Sequence, residues 1–393
     1  MRIIKFFVLF FIILTNQNCL ASASNKKIKV FYAGFSLSNI YESNEISSKY
    51  TSILLKEARS QKQIDIISDQ LVKKINNSSF QDIDLDINNL IDFDKYPDNA
   101  IVMSIALQSE SFSQEFNLSS NLHMGFYDAY FQILFYDFSD KNLIASIPFD
   151  FEIQMLSKEK INNNQILNRI KNFYLKDDPF KNLDERINKF KIKRKYDRRI
   201  GVTKVNILNK AFEVMPKNSI QFVDVYKILL AQTFEKRLSK NHNIAIVPYN
   251  EGQSIGKFMK LRFVQVDKIY TISLPDPDYH VHIDLKGFKK VLAKSTDVED
   301  LFLYGSFVDI KILQPDINKI YFDHALRGVT KVKIPKEQLD INEWRKYYYN
   351  IETLFDNFST NITKPDSKWL KEVTKNNIKK NLKDISFLLE KVK

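Results

Sequence analysis

An internal repeat constrains this chain more than any other feature of its sequence. Residues 127–136 (YDAYFQILFY) precede a polar turn at 139–142 and a strand-like run at 143–147. The same arrangement returns 177 residues later, with 304–313 (YGSFVDIKIL), a turn at 315–318 and a strand-like run at 319–322. Each unit reads as strand, tight turn, strand. Upstream, 102–107 and 279–284 keep the offset of 177, and each follows a Pro-Asp pair, Pro97-Asp98 and Pro277-Asp278. The opening strands, 28–32 and 202–207, lie 174 apart.

Helical patterns fill the gap after each opening strand. In the second copy Val223, Tyr226, Leu230, Phe234 and Leu238 recur at helical spacing, and a strand at 244–247 follows. In the first copy the helical stretches are 50–58 and 67–75, with a weaker strand at 83–85. Both copies therefore predict strand, helix, strand, helix or loop, then a three-strand meander, an order that gives a sheet with helices packed on it. After the second copy Trp344, Tyr348, Ile351, Phe355 and Phe358 form one amphipathic stripe. Pro365 starts a second helix, striped by Ile378, Leu382, Ile385, Leu389 and Val392. Both stripes read as core contacts.

The expected fold class is α/β (α+β): two tandem mixed-sheet domains plus a C-terminal helical segment. The expected divisions are a signal peptide at 1–23, repeat domains at 24–155 and 200–335, a polar and basic linker with helical segments at 156–199, and C-terminal helices at 336–393. The linker ends in seven cations within eleven residues, Lys189, Lys191, Lys193, Arg194, Lys195, Arg198 and Arg199. Such a run reads as a solvated strip.

The first residues carry an address. Arg2 and Lys5 precede nine unbroken apolar residues at 6–14, and Ala21-Ser22-Ala23 supplies a small-x-small cleavage pattern. This is the layout of a secretory signal peptide, and the apolar run is too short to span a bilayer as a helix. The reading is a bacterial envelope protein, periplasmic or otherwise exported. Lipoprotein anchoring is disfavoured, because the residues before Cys19 include Asn16 and Asn18 where a lipobox has a branched apolar and a small side chain. Cleavage after Ala23 removes Cys19, the only cysteine, and with it any disulfide or thiolate chemistry. The net charge of +12 then falls by two as Arg2 and Lys5 leave. In an exported protein a basic balance points to envelope components, anionic lipid or cell-wall polymer, and away from nucleic acid.

No catalytic, cofactor or metal residues are assigned. His280 and His282 alternate on one strand and His324 lies near a paired strand, but no further ligand stands at diagnostic spacing, and His123 and His242 are distant. The segment Gly252-Gln-Ser-Ile-Gly256-Lys257 has three residues between its glycines and Phe258 after its lysine, so it fails as a phosphate loop. H-E-x-x-H does not occur.

The opening strand Lys27-Ile-Lys-Val-Phe, the helix after it, and Ala100-Ile-Val-Met-Ser-Ile-Ala leading into a meander resemble the amino-terminal domain of TolB. They are also similar to the periplasmic domains of the curli-secretion lipoprotein CsgG and the penicillin-binding-protein activator LpoB. The resemblance implies a non-enzymatic scaffold or adaptor that binds other envelope proteins, and it carries over no functional residue. The alternatives are a periplasmic hydrolase with scattered residues and a small-ligand-binding protein. Intact mass and N-terminal sequencing of the exported protein are expected to give a mature chain beginning at Ser24.

Overall fold

The computed structural model describes residues 27–38, 48–88, 96–97, 99–217, 223–250, 258–266, 268–338, 341–374 and 378–393. The expected signal peptide and the glycine-containing segment at 252–257 lie outside the described residues.

The first copy opens with β1 (Ile28–Ser38), then α1 (Lys49–Ser60), α2 (Ile66–Asn76) and the short β2 (Ile83–Asp86). A meander of long strands follows: β3 (Ile101–Asn117), β4 (Leu122–Asp137) and β5 (Leu143–Ser157). Helices α3 (Asn163–Lys176) and α4 (Leu183–Asn188) lead to the second copy. That copy comprises β6 (Ile200–Ile207), the one-turn α5 (Asn209–Phe212), α6 (Val223–His242), the hairpin β7 (Phe258–Phe263) and β8 (Lys268–Ser273), and the meander β9 (Tyr279–Ser295), β10 (Glu299–Gln314) and β11 (Lys319–Pro335). Helices α7 (Glu343–Asn361), α8 (Lys368–Thr374) and α9 (Lys379–Lys391) complete the chain, so the expected second C-terminal helix is two.

These elements build two mixed sheets. The first has the order β5-β4-β3-β1-β7-β8, with β2 also beside β1, and the second has β11-β10-β9-β6. In both, the opening strand runs parallel to the first meander strand, β1 to β3 and β6 to β9, and the meander is antiparallel. The copies share irregularities as well. Register slips between Tyr32 and Gly34 in β1 and between Val202 and Lys204 in β6. It slips again between Leu107 and Ser109 in β3 and between Leu285 and Gly287 in β9. Matching these bulges sets β3 against β9 at an offset of 178, one residue from the offset read in the sequence. The hairpins keep 177, since Phe131 pairs with Phe149 where Val308 pairs with Leu326.

Two features cross the expected divisions. The hairpin β7–β8 belongs to the second copy in sequence, yet Leu261–Phe263 of β7 pairs with Ser36–Ser38 of β1, in the first sheet. Edge groups on β1 beyond the end of β2 are thereby satisfied. The sheet curls until Ser273 at the end of β8 bridges Asn142, just ahead of β5. Residues 156–199 are no free linker either. Ile166, Ile170, Tyr174, Phe180, Leu183, Ile187, Phe190, Ile192 and Tyr196 are buried in the core of the first sheet. In the basic run apolar side chains point inward, while Lys189, Lys191, Arg194 and Lys195 stay exposed.

The resulting layers are helices α1–α4, the first sheet, the pair α6 and α7, and the second sheet. One core lies between α1–α4 and the first sheet, and a second joins the second sheet to α6–α9. A third packs the other face of β1, β3 and β4 against the curled hairpin β7–β8. Because both faces of the first sheet are covered, residues 101–110 of β3 are buried without interruption. In β9 the first seven residues alternate buried and half-buried, as a sheet with one open face requires.

The expected strand at 244–247 is a linking segment rather than a ladder. Ile246 N donates to Ser146 O of β5 (3.1 Å) and Val247 N to Ile200 O of β6 (2.9 Å), so consecutive amides tie one sheet to the other. Gly201 permits this approach, because a Cβ there would lie 2.7 Å from the Val247 carbonyl oxygen. Gly201→Ala is expected to cost about 1–3 kcal/mol, read from chemical denaturation.

Candidate binding cleft between the two sheets

The helix α6 has no single apolar face, because it is enclosed on both sides. Leu230, Phe234 and Leu238 join the core of the second sheet. Polar side chains meet the first sheet instead. Gln232 accepts from Ser109 Oγ of β3 (2.9 Å). The Lys236 ammonium, 5 % exposed, lies 2.5 Å from Asp150 of β5 and 3.8 Å from Glu352 of α7, over the Tyr130 ring. On another side of α6, Glu235 accepts from Tyr249 N (2.8 Å).

Helix α7 makes the same double contact. Its N-cap Asn342 accepts from Arg345 N (3.0 Å), which fixes the first turn. Ile351, Phe355 and Phe358, from the stripe read in the sequence, enter the second core. The first turn overhangs that core and faces the first sheet. Arg345 bridges Asp128 and Glu152, both at 2.8 Å, and lies over the Phe126 ring. Tyr348 reaches Thr233 Oγ1 (2.6 Å) and Tyr130 OH (3.4 Å).

Where α1, β3, α6 and α7 diverge they leave a cleft of about 590 Å³. Its walls carry Tyr50, Phe112, Tyr130, Tyr226, Trp344 and Tyr348. Ser109, Ser111 and Ser113 alternate along β3 and line it too. Two acids reach it, Glu110 and Asp128, and both are already engaged. Glu110 accepts from Thr51 N (2.9 Å), Thr51 Oγ1 (2.8 Å) and Tyr127 OH (2.5 Å). Burial nonetheless raises its pKa above the usual carboxylate value, outweighing those hydrogen bonds. Burial also raises Asp128, against the pull of Arg345. Tyr130 and Tyr348 are pushed upward chiefly by burial, so their hydroxyls stay protonated. The cleft thus offers ring faces, hydroxyls and neutralised charge, a surface suited to holding a ligand by contact and hydrogen bonding.

The histidines weighed in the sequence do not converge. His280 and His282 share the open face of the second sheet with ring centroids 6.4 Å apart. His282 pairs with Lys311, whereas His324 pairs with Ile310, a core residue, so its ring lies on the other face against Phe322. His242 is engaged by Ser359 O and His123 lies beside Phe116. Among the described residues no group of three or more His, Cys, Asp or Glu could hold a metal ion. Trp344 and Tyr348 were visible in the sequence only as part of a core stripe. Ser109, Glu110 and Asp128 carried no signal, since alternation on a strand says nothing of what faces it.

No family model matches the chain, and no curated protein matches it. Among solved structures, the chain described as "putative neuraminyllactose-binding hemagglutinin homolog from Helicobacter pylori" is similar at 11 % identity and a TM-score of 0.27, over 49 % of this chain and 91 % of its own. A likeness of that size bears on neither fold nor function.

The buried acids fix a pH dependence. Burial raises both Glu110 and Glu235 above an ordinary value of 4.5. Above 4.5 the unfolded chain releases protons that the native protein still holds, so stability is lost as pH rises through the folded values. Burial lowers His242, His282 and His324 from 6.5, which acts in the opposite sense as pH falls. The acids are therefore read from the difference between the wild type and a Glu235 variant. The wild type's unfolding temperature is expected to fall more between pH 5.5 and pH 8 than the variant's. Glu235→Gln is expected to flatten this slope, to which one proton contributes at most about 1.4 kcal/mol per pH unit.

Proposed function

We propose that this chain is a non-enzymatic binding scaffold of a bacterial cell envelope, and that the aromatic cleft between its sheets receives another envelope component. One observation carries the reading: the two acids at the cleft, Glu110 and Asp128, are spent on Arg345 and on buried hydrogen bonds. Asp128 and Glu152 neutralise Arg345, and Glu110 is capped by Thr51 and Tyr127. A general acid or base needs a carboxyl free to reach substrate, whereas these hold the fold in place. The N-terminal address read in the sequence supports the compartment. The order of elements resembling TolB, CsgG and LpoB supports the adaptor role.

The cleft volume favours a second reading, a small-ligand-binding protein, because about 590 Å³ falls within the range of ligand pockets. Affinity capture from envelope extracts tests the first reading. Ser111 is exposed on the cleft wall, so Ser111→Trp fills the cleft without disturbing the core. The expected result is one envelope protein retained by the wild-type chain and reduced about tenfold or more by the variant, a loss of about 1.4 kcal/mol. No retained partner, together with hydrolysis of a cell-wall or glycan substrate, overturns the proposal.

A further inference from the structure

The open face of the second sheet changes character along its length. Near β6 its charges neutralise one another: Lys286 pairs with Asp309 at 2.8 Å, Lys311 with Asp323 at 2.9 Å, and Asn206 donates to Asp284 at 2.6 Å. A strand face facing water has this composition. Beyond the bulge at Gly287 the same face becomes apolar and cationic. Val291 pairs with Leu303, and Leu303 with Lys331. In the next row Lys294 pairs with Leu301, and Leu301 with Lys333. One row back, Lys289 and Val329 flank Gly305, beside which the Phe307 ring lies.

The apolar side chains are open to solvent, with Val329 59 %, Val291 42 % and Phe307 36 % exposed. Lys333 is held by Glu299 at 2.6 Å. Among the described residues Lys289, Lys294 and Lys331 make no ion pair. Successive rows therefore put aliphatic or aromatic groups beside lysines whose stems can lie along them and whose ammonium groups can rise past them.

We propose that this distal face of β9–β11 docks on the surface of an anionic phospholipid bilayer. The apolar row enters the boundary between headgroups and acyl chains, and Lys289, Lys294 and Lys331 meet lipid phosphates. Charge complementarity selects the occupant. Protein interfaces are depleted in lysine and carry varied hydrogen-bonding side chains, while these rows hold apolar groups and ammonium groups. A basic polar rim around an apolar patch is the arrangement that holds peripheral proteins to anionic membranes. The proposal is independent of the cleft, which opens between the sheets.

Co-sedimentation of the protein purified from the exported fraction tests it. Vesicles of phosphatidylglycerol mixed with phosphatidylcholine are compared with phosphatidylcholine alone. The expected result is binding to the mixed vesicles that weakens with added salt, and about tenfold or more weaker binding for Lys289→Glu with Lys331→Glu. Val329→Asp is expected to weaken binding with the lysines intact, and circular dichroism is expected to show both variants folded as the wild type. Equal binding to both vesicles, no binding, or binding untouched by the variants overturns the proposal. So does an acidic envelope protein captured through this face while the vesicles stay unbound.

Discussion

A lysine ammonium removed from water is tolerable only where opposite charge meets it, and Lys236 sits in the middle of this molecule under that condition. Asp150 comes from the first sheet, Glu352 from α7, and the Tyr130 ring lies beneath the ammonium. Three elements distant in sequence must therefore arrive together. Arg345 with Asp128 and Glu152, and the Tyr130–Tyr348–Thr233 hydroxyl chain, repeat the condition along the same interface. The two halves join through a polar seam whose geometry is specific, in contrast to the apolar cores on either side of it.

That seam explains the cleft. Helices α6 and α7 serve the second sheet with their apolar residues and the first sheet with their polar ones, so they cannot close evenly on both. They meet β4 and β5 through ion pairs and diverge toward α1 and the far part of β3, where β1 has ended. The residues left at the opening, Trp344 and Tyr226 among them, are the first turns of helices whose later turns are core. The charges of the seam satisfy one another.

Much of the fold was legible because hydrophobic period reports which elements form. The helix from Val223, both meanders and the helices at 50–58 and 67–75 were read from spacing alone. The 156–199 segment misled because its cations dominate composition, while Phe190, Ile192 and Tyr196, set among them, are the residues that pack. The hairpin β7–β8 eluded the reading for another reason: nothing in its own residues says whose edge it completes. His324 shows the same limit at finer scale. A strand alternates faces at every residue, so its side relative to His282 follows from cross-strand register, which bulges reset.

The sequence by itself determined the duplicated order of elements and the mixed α/β class. Each is encoded locally, in a period or a short pattern, and survives without knowledge of distant partners. Tertiary structure decided that a hairpin of the second copy would finish the first sheet, that Lys236 would find Asp150, and that Glu110 would be buried under Thr51 and Tyr127. It also decided that the distal meander would leave an apolar row bare among lysines. Such outcomes depend on long-range burial and on which charges meet when water is excluded, quantities that no stretch of neighbouring residues contains.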